Sequence, residues 1–414
     1  MIAQPQPFNR FQMDCPEPHL YTQASVHWVH WGHWGHPPLF LRLPPDLPGV
    51  IMNSTRLHTR LCIISAALCL AWTAGSAADA VFPGEHWIQR SPTEAGLNLD
   101  TLRMLADTAG GHGFLVRDGV QVFHWGDPSK RIDLASAAKP FYSFFLIKAV
   151  EEGKIGGFDD RMAAWEPRLN LLNPELGHPD RRMTWRQAAY QTTGYGMREA
   201  PGEAFAYNDW QMALFFDTLF LKAYQSNHAN LDHDLFHPGL TDRIQCEDNP
   251  TMLAFGPNDR PGRIAISVRD LARFGLLFLH EGEWNGHRII SKEHARMAVS
   301  SPLPGDFPRA GIEPAAMLPD QRTMGSRAIP DNQTDHMGSY SWLWWTNGID
   351  REGNRHWPDA PINAYGAFGH GGQRALVVLP DLQIVLCWND TRIQGREAEN
   401  KILKLLLNSL SGRP

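Results

Sequence analysis

Residues 133–155 read DLASAAKPFYSFFLIKAVEEGKI. A serine and a lysine stand three apart, Ser136 and Lys139, and Pro140 follows at once. From Pro140 to Val150 the chain is strongly apolar, which predicts a core helix with the pair at its N-terminal end. Proline is tolerated in a first turn. On a helix, positions i and i+3 share a face, so Lys139 points where Ser136 points. A lysine facing the interior is costly, because a buried ammonium loses its hydration. The arrangement makes chemical sense where the amine takes or polarises the hydroxyl proton of Ser136, one way to activate a nucleophile. A lysine that snorkels to the surface is the competing reading. S-x-x-K alone is a weak pattern, but it occurs once in this chain and directly precedes the apolar run.

The chain has 414 residues, 43% hydrophobic and 20% charged, with net charge −6. This is ordinary globular composition, sufficient for one large domain or two. The mild acidity argues against a nucleic-acid partner, which favours a basic face. From Met52, Arg56 and Arg60 precede an apolar run, Leu61 to Trp72, and Ala78-Asp79-Ala80 supplies an A-x-A site. That is the three-part pattern of a secretory signal peptide, too short for a comfortable membrane span. Residues 52–80 are therefore expected to be removed on export, leaving no stable membrane span. Residues 1–51, rich in Pro, His and Trp, read as a disordered extension upstream of a true start at Met52. Of five cysteines, only Cys246 and Cys387 lie beyond this region. They form neither a disulfide framework nor a metal-ligand spacing, and whether they meet is left open.

In the remaining chain, Leu97 to Thr108 reads as a helix. Two β-rich runs flank Arg117-Asp118-Gly119, a hairpin signal. Residues 156–262 are loop-rich with helical pieces at Trp185–Tyr190 and Asp209–Tyr224. Ser267 and Asp270 resemble a capping box for a helix closed by Gly282. A second β block follows Ser339, ending in apolar runs Arg374 to Leu379 and Gln383 to Trp388 about Pro380-Asp381. A last helix runs from about Gly395 to Leu410. These elements predict an α/β (α+β) fold: an antiparallel sheet built from both ends of residues 81–414 and flanked by helices. The sheet lobe takes residues 81–155 and 263–414, a mostly helical lobe takes 156–262, and an active-site cleft lies between them.

Two further stretches bear on that cleft. In PGEAFAYNDWQMALF, residues 201–215, Tyr207 stands at a loop-to-helix boundary with Asn208 and Asp209 available as caps. A tyrosine beside a lysine can act as a general base, although a packing tyrosine is the default for such a stretch alone. In GAFGHGGQRALVV, His370 and three glycines, Gly369, Gly371 and Gly372, precede a strand, and glycines there permit close approach of a ligand.

Taken in order, SAAKP, AYND and GHGG resemble the three motifs of the serine β-lactamase and penicillin-binding superfamily. The likeness is to its class C β-lactamase-like branch, with D-alanyl-D-alanine carboxypeptidases, D-aminopeptidases and esterases. TWRQAAYQTTGYG and RIAISVRDLARFGLLFLHEGEWNGHRIIS add to the resemblance, which spans about Phe82 to Leu410. It implies an acyl-enzyme mechanism without metal or cofactor on a small ester, amide or peptide. Ser136 is the implied nucleophile and Lys139 and Tyr207 its proton-transfer partners. The N–H groups of Ser136 and Gln373 form the implied oxyanion hole, and Asn208, Asp209, His370, Gly371 and Gly372 complete the substrate edge. The chain departs from the family pattern twice. Asp209 replaces the asparagine of Y-x-N, and a carboxylate cannot donate to a substrate carbonyl. Either Asn208 turns in or recognition differs. Gly371 replaces a threonine whose hydroxyl grips a substrate carboxylate. The expected activity is therefore that of an esterase or D-amino-acid peptidase, with β-lactamase or carboxypeptidase as the alternative and a non-catalytic binding module as the rival from another class.

Other signals weigh less. His228, Asp232, His233, Asp234 and His237 cluster in one stretch but lack an H-E-x-x-H spacing, so a solvated loop is preferred to a metal site. Trp342, Trp344 and Trp345 read as strand core rather than cleft lining. No G-x-S-x-G elbow is present. Oligomeric state and natural substrate are not legible. Export makes one firm prediction: N-terminal sequencing of the secreted protein begins close to Val81, whereas a mature product that retains His27 contradicts the signal-peptide reading.

Overall fold

In this computed structural model, residues 80–254, 263–311, 313–319 and 333–411 are described. The expected extension and nearly all of the signal segment lie outside them. In chain order the regular elements begin with α1 (Leu99–Ala109), β1 (His112–Arg117), β2 (Val120–Trp125) and β3 (Ile132–Asp133). A 3₁₀ turn, Ala135–Ala138, then runs into α2 (Lys139–Glu151), followed by α3 (Trp185–Tyr190) and α4 (Asp209–Phe216). Next come β4 (Ala265–Ile266), α5 (Val268–Leu279), β5 (Glu283–Trp284), β6 (His287–Arg288) and α6 (Lys292–Ser300). The chain closes with β7 (Tyr340–Ser341), β8 (Trp344–Thr346), β9 (Tyr365–Gly369), β10 (Arg374–Leu379), β11 (Ile384–Asn389) and α7 (Arg396–Asn408).

The main sheet has seven strands in the order β2-β1-β11-β10-β9-β8-β7, with antiparallel pairing throughout. The first strands of the domain thus pair with the last, as expected from apolar runs at both ends. Its first hairpin turns through Asp118 and Gly119, both at positive φ (51° and 77°), the combination a tight two-residue turn requires. Strand alternation divides the core. Phe114, Val116, Leu376, Val378, Val385 and Cys387 face one apolar cluster, while Leu115, Ala375, Val377, Ile384, Leu386 and Trp388 face the other. Both faces are covered, which is why β10 and β11 read as continuous apolar runs rather than alternating ones. α1 and α7 cover one face and α5 the other.

α2 is apolar nearly all round and buried from Lys139 to Ala149, the signature of a helix enclosed by protein on every side. Two expectations change in detail. The helix expected over Asp209–Tyr224 is α-helical only to Phe216 and continues as a π-helix, Asp217–Ala223. Ser267 caps α5 through the Asp270 N–H, but the reciprocal half of the capping box is missing. The Asp270 carboxylate instead accepts from the N–H groups of Glu247 and Asp248, both at 2.8 Å. Cys246 and Cys387 are both free thiols. Among the described residues no helix is long and apolar enough to cross a membrane. In the His/Asp stretch, Asp232 accepts from Met252 N–H and Thr251 Oγ1, and His237 bonds the Pro250 carbonyl. No group of three or more potential ligands is arranged to hold a metal among the described residues.

β9 ends against the turn that carries Ser136. Gly369 has an ordinary extended backbone (φ −133°), so its requirement is for space. A β-carbon there would lie 2.3 Å from the Leu134 carbonyl oxygen and 3.1 Å from the Ser136 nitrogen. Gly369→Ala should therefore separate the strand from the turn. Overpacking of this kind costs about 1–3 kcal/mol, which predicts a fall in Tm of about 1–4 °C by calorimetry for a domain of this size. An unchanged Tm would show that the contact is looser than the geometry states.

Candidate active site

Ser136 lies on the 3₁₀ turn and Lys139 is the residue into which that turn closes, its N–H donating to the Ser136 carbonyl. In a 3₁₀ turn residues i and i+3 eclipse one another, which aligns the two side chains more closely than the α-helical start expected from sequence. Lys139 Nζ donates to Ser136 Oγ at 2.8 Å, and the lysine is 3% exposed.

Tyr207 is brought to the same place from the segment ahead of α4. Lys139 Nζ stands 4.4 Å from the centroid of its ring, within cation–π range. The ring is buried against Tyr340, edge-on at 5.7 Å, and Trp345 at 5.9 Å. Asp209, the first residue of α4, places Oδ1 3.8 Å from Lys139 Nζ. Asn208 does not turn in. It is the N-cap of α4: its Oδ1 accepts from Gln211 N–H at 3.0 Å, and its own N–H donates to Gln191 Oε1 at 3.1 Å. It is fully buried and absent from the cavity lining. The position that the family pattern gives to an amide donor is therefore filled by a carboxylate, and the neighbouring asparagine is buried, its amide oxygen capping the helix and its Nδ2 without a hydrogen-bond partner among the described residues.

Ser136, Lys139, Tyr207, Asp209, His370, Gly371, Gly372 and Gln373 line one cavity of about 720 Å³, a size suited to a small molecule or short peptide. His370 and Gly371 are exposed at its rim, both at positive φ (50° and 67°). A β-carbon on Gly371 would lie 2.3 Å from Gln394 Nε2, so Gln394 occupies the space a threonine would need. Gln394 Oε1 in turn accepts from Gln373 Nε2 at 3.2 Å.

Sequence reading missed part of this lining: Arg263, His356, Phe368, Gln394, Arg396 and Glu399. Trp345, expected in the core, is half-buried and lines the cavity, while Trp342 and Trp344 are core residues. Glu399 left a trace: it falls on the same helical stripe as Ile402, Leu403 and Leu406, which marks a carboxyl on a buried face. Burial pushes its carboxyl up to about 7, against the pull of the Trp357 indole N–H at 3.1 Å and the charge of Arg396. Burial, reinforced by Arg396, pushes His356 down to about 3, so its imidazole is neutral at physiological pH.

No protein-family model and no curated protein matches the chain. Solved structures do. A Bacillus anthracis protein described as a candidate 6-aminohexanoate-dimer hydrolase superposes with a TM-score of 0.53 at 14% identity, over 80% of this chain and 88% of that one. A β-lactamase of Mycobacterium bovis gives 0.51 at 16% identity, over 75% and 99%. An octameric penicillin-binding protein homologue of Pyrococcus abyssi gives 0.53 at 12% identity, over 76% and 78%. The fold is that of the serine β-lactamase and penicillin-binding superfamily, as the three motifs implied.

The raised Glu399 carboxyl sets a sign for stability. The folded state binds its proton more tightly than the unfolded chain does, so stability falls as pH rises from the ordinary carboxyl value of 4.5 through about 7. A glutamine at this position has no such dependence. The difference in Tm, Glu399→Gln minus parent, should therefore grow in favour of the variant between pH 5 and pH 8. A flat difference across that range would show that the carboxyl is not held neutral.

Proposed function

We propose that this protein is an exported serine hydrolase that forms an acyl-enzyme at Ser136 on a small ester or amide, of esterase or D-amino-acid peptidase type. The observation that carries the proposal is the Lys139 Nζ–Ser136 Oγ hydrogen bond of 2.8 Å inside the cavity. In the proposed sequence Ser136 Oγ attacks the substrate carbonyl carbon, and its proton passes to Lys139 or Tyr207. The carbonyl oxygen takes the negative charge. Collapse of the tetrahedral species breaks the bond to the leaving alcohol or amine, which receives that proton. Water, deprotonated by the same groups, then attacks the acyl-enzyme and releases the acid. Residues 81–414 form the proposed mature domain.

The oxyanion needs two convergent N–H donors. Ser136 is one. For the second we favour Phe368 over Gln373. Asn347 N–H donates to the Ala364 carbonyl across the β8 edge, so by alternation the N–H groups of residues 364, 366 and 368 point to that edge. The pairing with β8 extends no further along β9 than Gly366, and Phe368 lines the cavity.

Two residues favour neutral substrates over carboxylate-bearing β-lactams. Gly371 has no hydroxyl, and Asp209 cannot donate. A lost hydrogen bond to a charged group costs about 1.5–3 kcal/mol, so two such losses lower turnover of carboxylate-bearing β-lactams by roughly two to four orders of magnitude. Arg396 supports a second reading. Its guanidinium lines the same cavity and makes no ion pair with a carboxylate among the described residues, which suits a substrate carboxylate and a β-lactamase or carboxypeptidase activity. A site that binds without turnover is the third possibility, kept open by Asp209.

The readings separate in one set of assays. Ser136→Ala should abolish fluorophosphonate labelling and ester hydrolysis, and a chelator should leave parent activity intact. For the parent, kcat/KM on p-nitrophenyl acetate should exceed that on nitrocefin. Robust nitrocefin turnover with negligible esterase activity would restore the β-lactamase reading, and labelling without turnover of either would leave the binding module.

A further inference from the structure

Ala135, immediately before Ser136, is held at φ 49°. For a residue with a β-carbon the left-handed region is disfavoured, and such strain persists only where the surroundings over-determine it. Here those surroundings centre on one carboxylate. Asp133 Oδ2 accepts the Ala135 N–H at 3.2 Å. Asp133 is itself clamped from two sides: Arg263 donates from Nε to Oδ1 at 2.8 Å and from Nη2 to Oδ2, and Arg374 donates from Nη1 to Oδ2 at 2.6 Å. The two arginines come from separate segments. Arg263 enters β4, whose partner is β3, and Arg374 opens β10 beside the HGG turn. The Leu134 N–H donates to the Ile264 carbonyl at 2.8 Å, and the Ala137 N–H donates to the Leu134 carbonyl at 3.1 Å, so the backbone on either side of Ala135 is also fixed. The two guanidiniums keep the Asp133 carboxyl below its ordinary value in spite of its burial, and its acceptor charge is present at neutral pH.

We propose that Asp133 is the positioning residue of the nucleophile turn: pinned between Arg263 and Arg374, it accepts the Ala135 N–H and holds the left-handed turn that directs Ser136 at Lys139 and the cavity. The proposal rests on Ser136 as the nucleophile. Asp133 itself does not line the cavity and takes no proton in the reaction. Its effect falls on the rate of attack rather than on substrate affinity. It also depends on Ala135 having a β-carbon, because glycine enters the left-handed region without cost.

That dependence gives the test. Parent, Asp133→Ala, Asp133→Asn, Ala135→Gly and the Asp133→Ala/Ala135→Gly double variant are compared for fluorophosphonate labelling rate, for kcat and KM on p-nitrophenyl acetate, and for Tm. Asp133→Ala should lower the labelling rate and kcat by about tenfold or more with little change in KM. Asp133→Asn, which keeps one acceptor oxygen, should lose less. In the Ala135→Gly background, removal of Asp133 should cost less than in the parent, a coupling that a purely stabilising ion cluster does not produce. If the alanine variant does not fold, the isosteric asparagine variant carries the same comparison. Labelling of Asp133→Ala at the parent rate, or fully multiplicative losses in the double variant, would overturn the proposal while leaving Ser136 as nucleophile. Failure of the parent to label at all would instead remove the nucleophile assignment on which it stands.

Discussion

A lysine amine held away from water is the constraint around which this molecule is arranged. Lys139 is 3% exposed, and an interior ammonium without partners is strongly disfavoured. Its Nζ is met from three directions: Ser136 Oγ at 2.8 Å, the face of Tyr207 at 4.4 Å and Asp209 Oδ1 at 3.8 Å. Each partner comes from a different place. Ser136 comes from the turn before α2, Tyr207 from the loop before α4, and Asp209 from the first turn of α4 itself. The amine is thus satisfied only when α2 and α4 are docked, which ties the polar centre to the packing of the helices behind it.

That docking explains the apolar character of α2. A helix with Lys139 at its buried start has no solvent face to offer, so Phe141, Phe144, Phe145 and Ile147 pack on all sides. Phe141 stacks on Phe274 of α5 at 3.9 Å, and Phe145 meets Phe220 edge-on at 5.6 Å. α5 rests on β1, β10 and β11. The position of the turn is therefore relayed to the sheet through aromatic contacts on one side and through the close approach of Gly369 on the other.

Much of this was legible because local rules and tertiary structure agree. The Asp118-Gly119 hairpin, the limits of β10 and the limits of α3 follow from turn chemistry and apolar runs. The serine–lysine pair was legible because a lysine ahead of an unbroken apolar helix demands a reason. The second half of the cavity was not. Arg263, His356 and Arg396 sit in ordinary polar surroundings in the sequence, and only the pairing of β4 with β3, the segment before β9 and the return of α7 bring them, in that order, to the site. Asn208 shows the reverse. Its residue type suited a substrate donor, yet capping α4 uses its oxygen, and no local rule ranks one use above the other. Trp345 was misplaced because alternation along a three-residue strand is too short to tell its two faces apart.

The missed residues change the character of the cavity. Near Ser136 each cation has a carboxylate partner: Lys139 lies beside Asp209, and Arg263 and Arg374 share Asp133. Farther along the wall, His356 is neutral and burial raises the Glu399 carboxyl to about 7, while the charge of Arg396 also acts on the Asp350 carboxyl. The departures at Asp209 and Gly371 remove donors close to Ser136, and Gln394 closes the gap that Gly371 leaves. The donor capacity of the site is therefore displaced outward, from the HGG turn to the start of α7. Under the proposed function, a substrate that fits this pattern would present a neutral carbonyl to Ser136 and carry any anionic group on a longer arm.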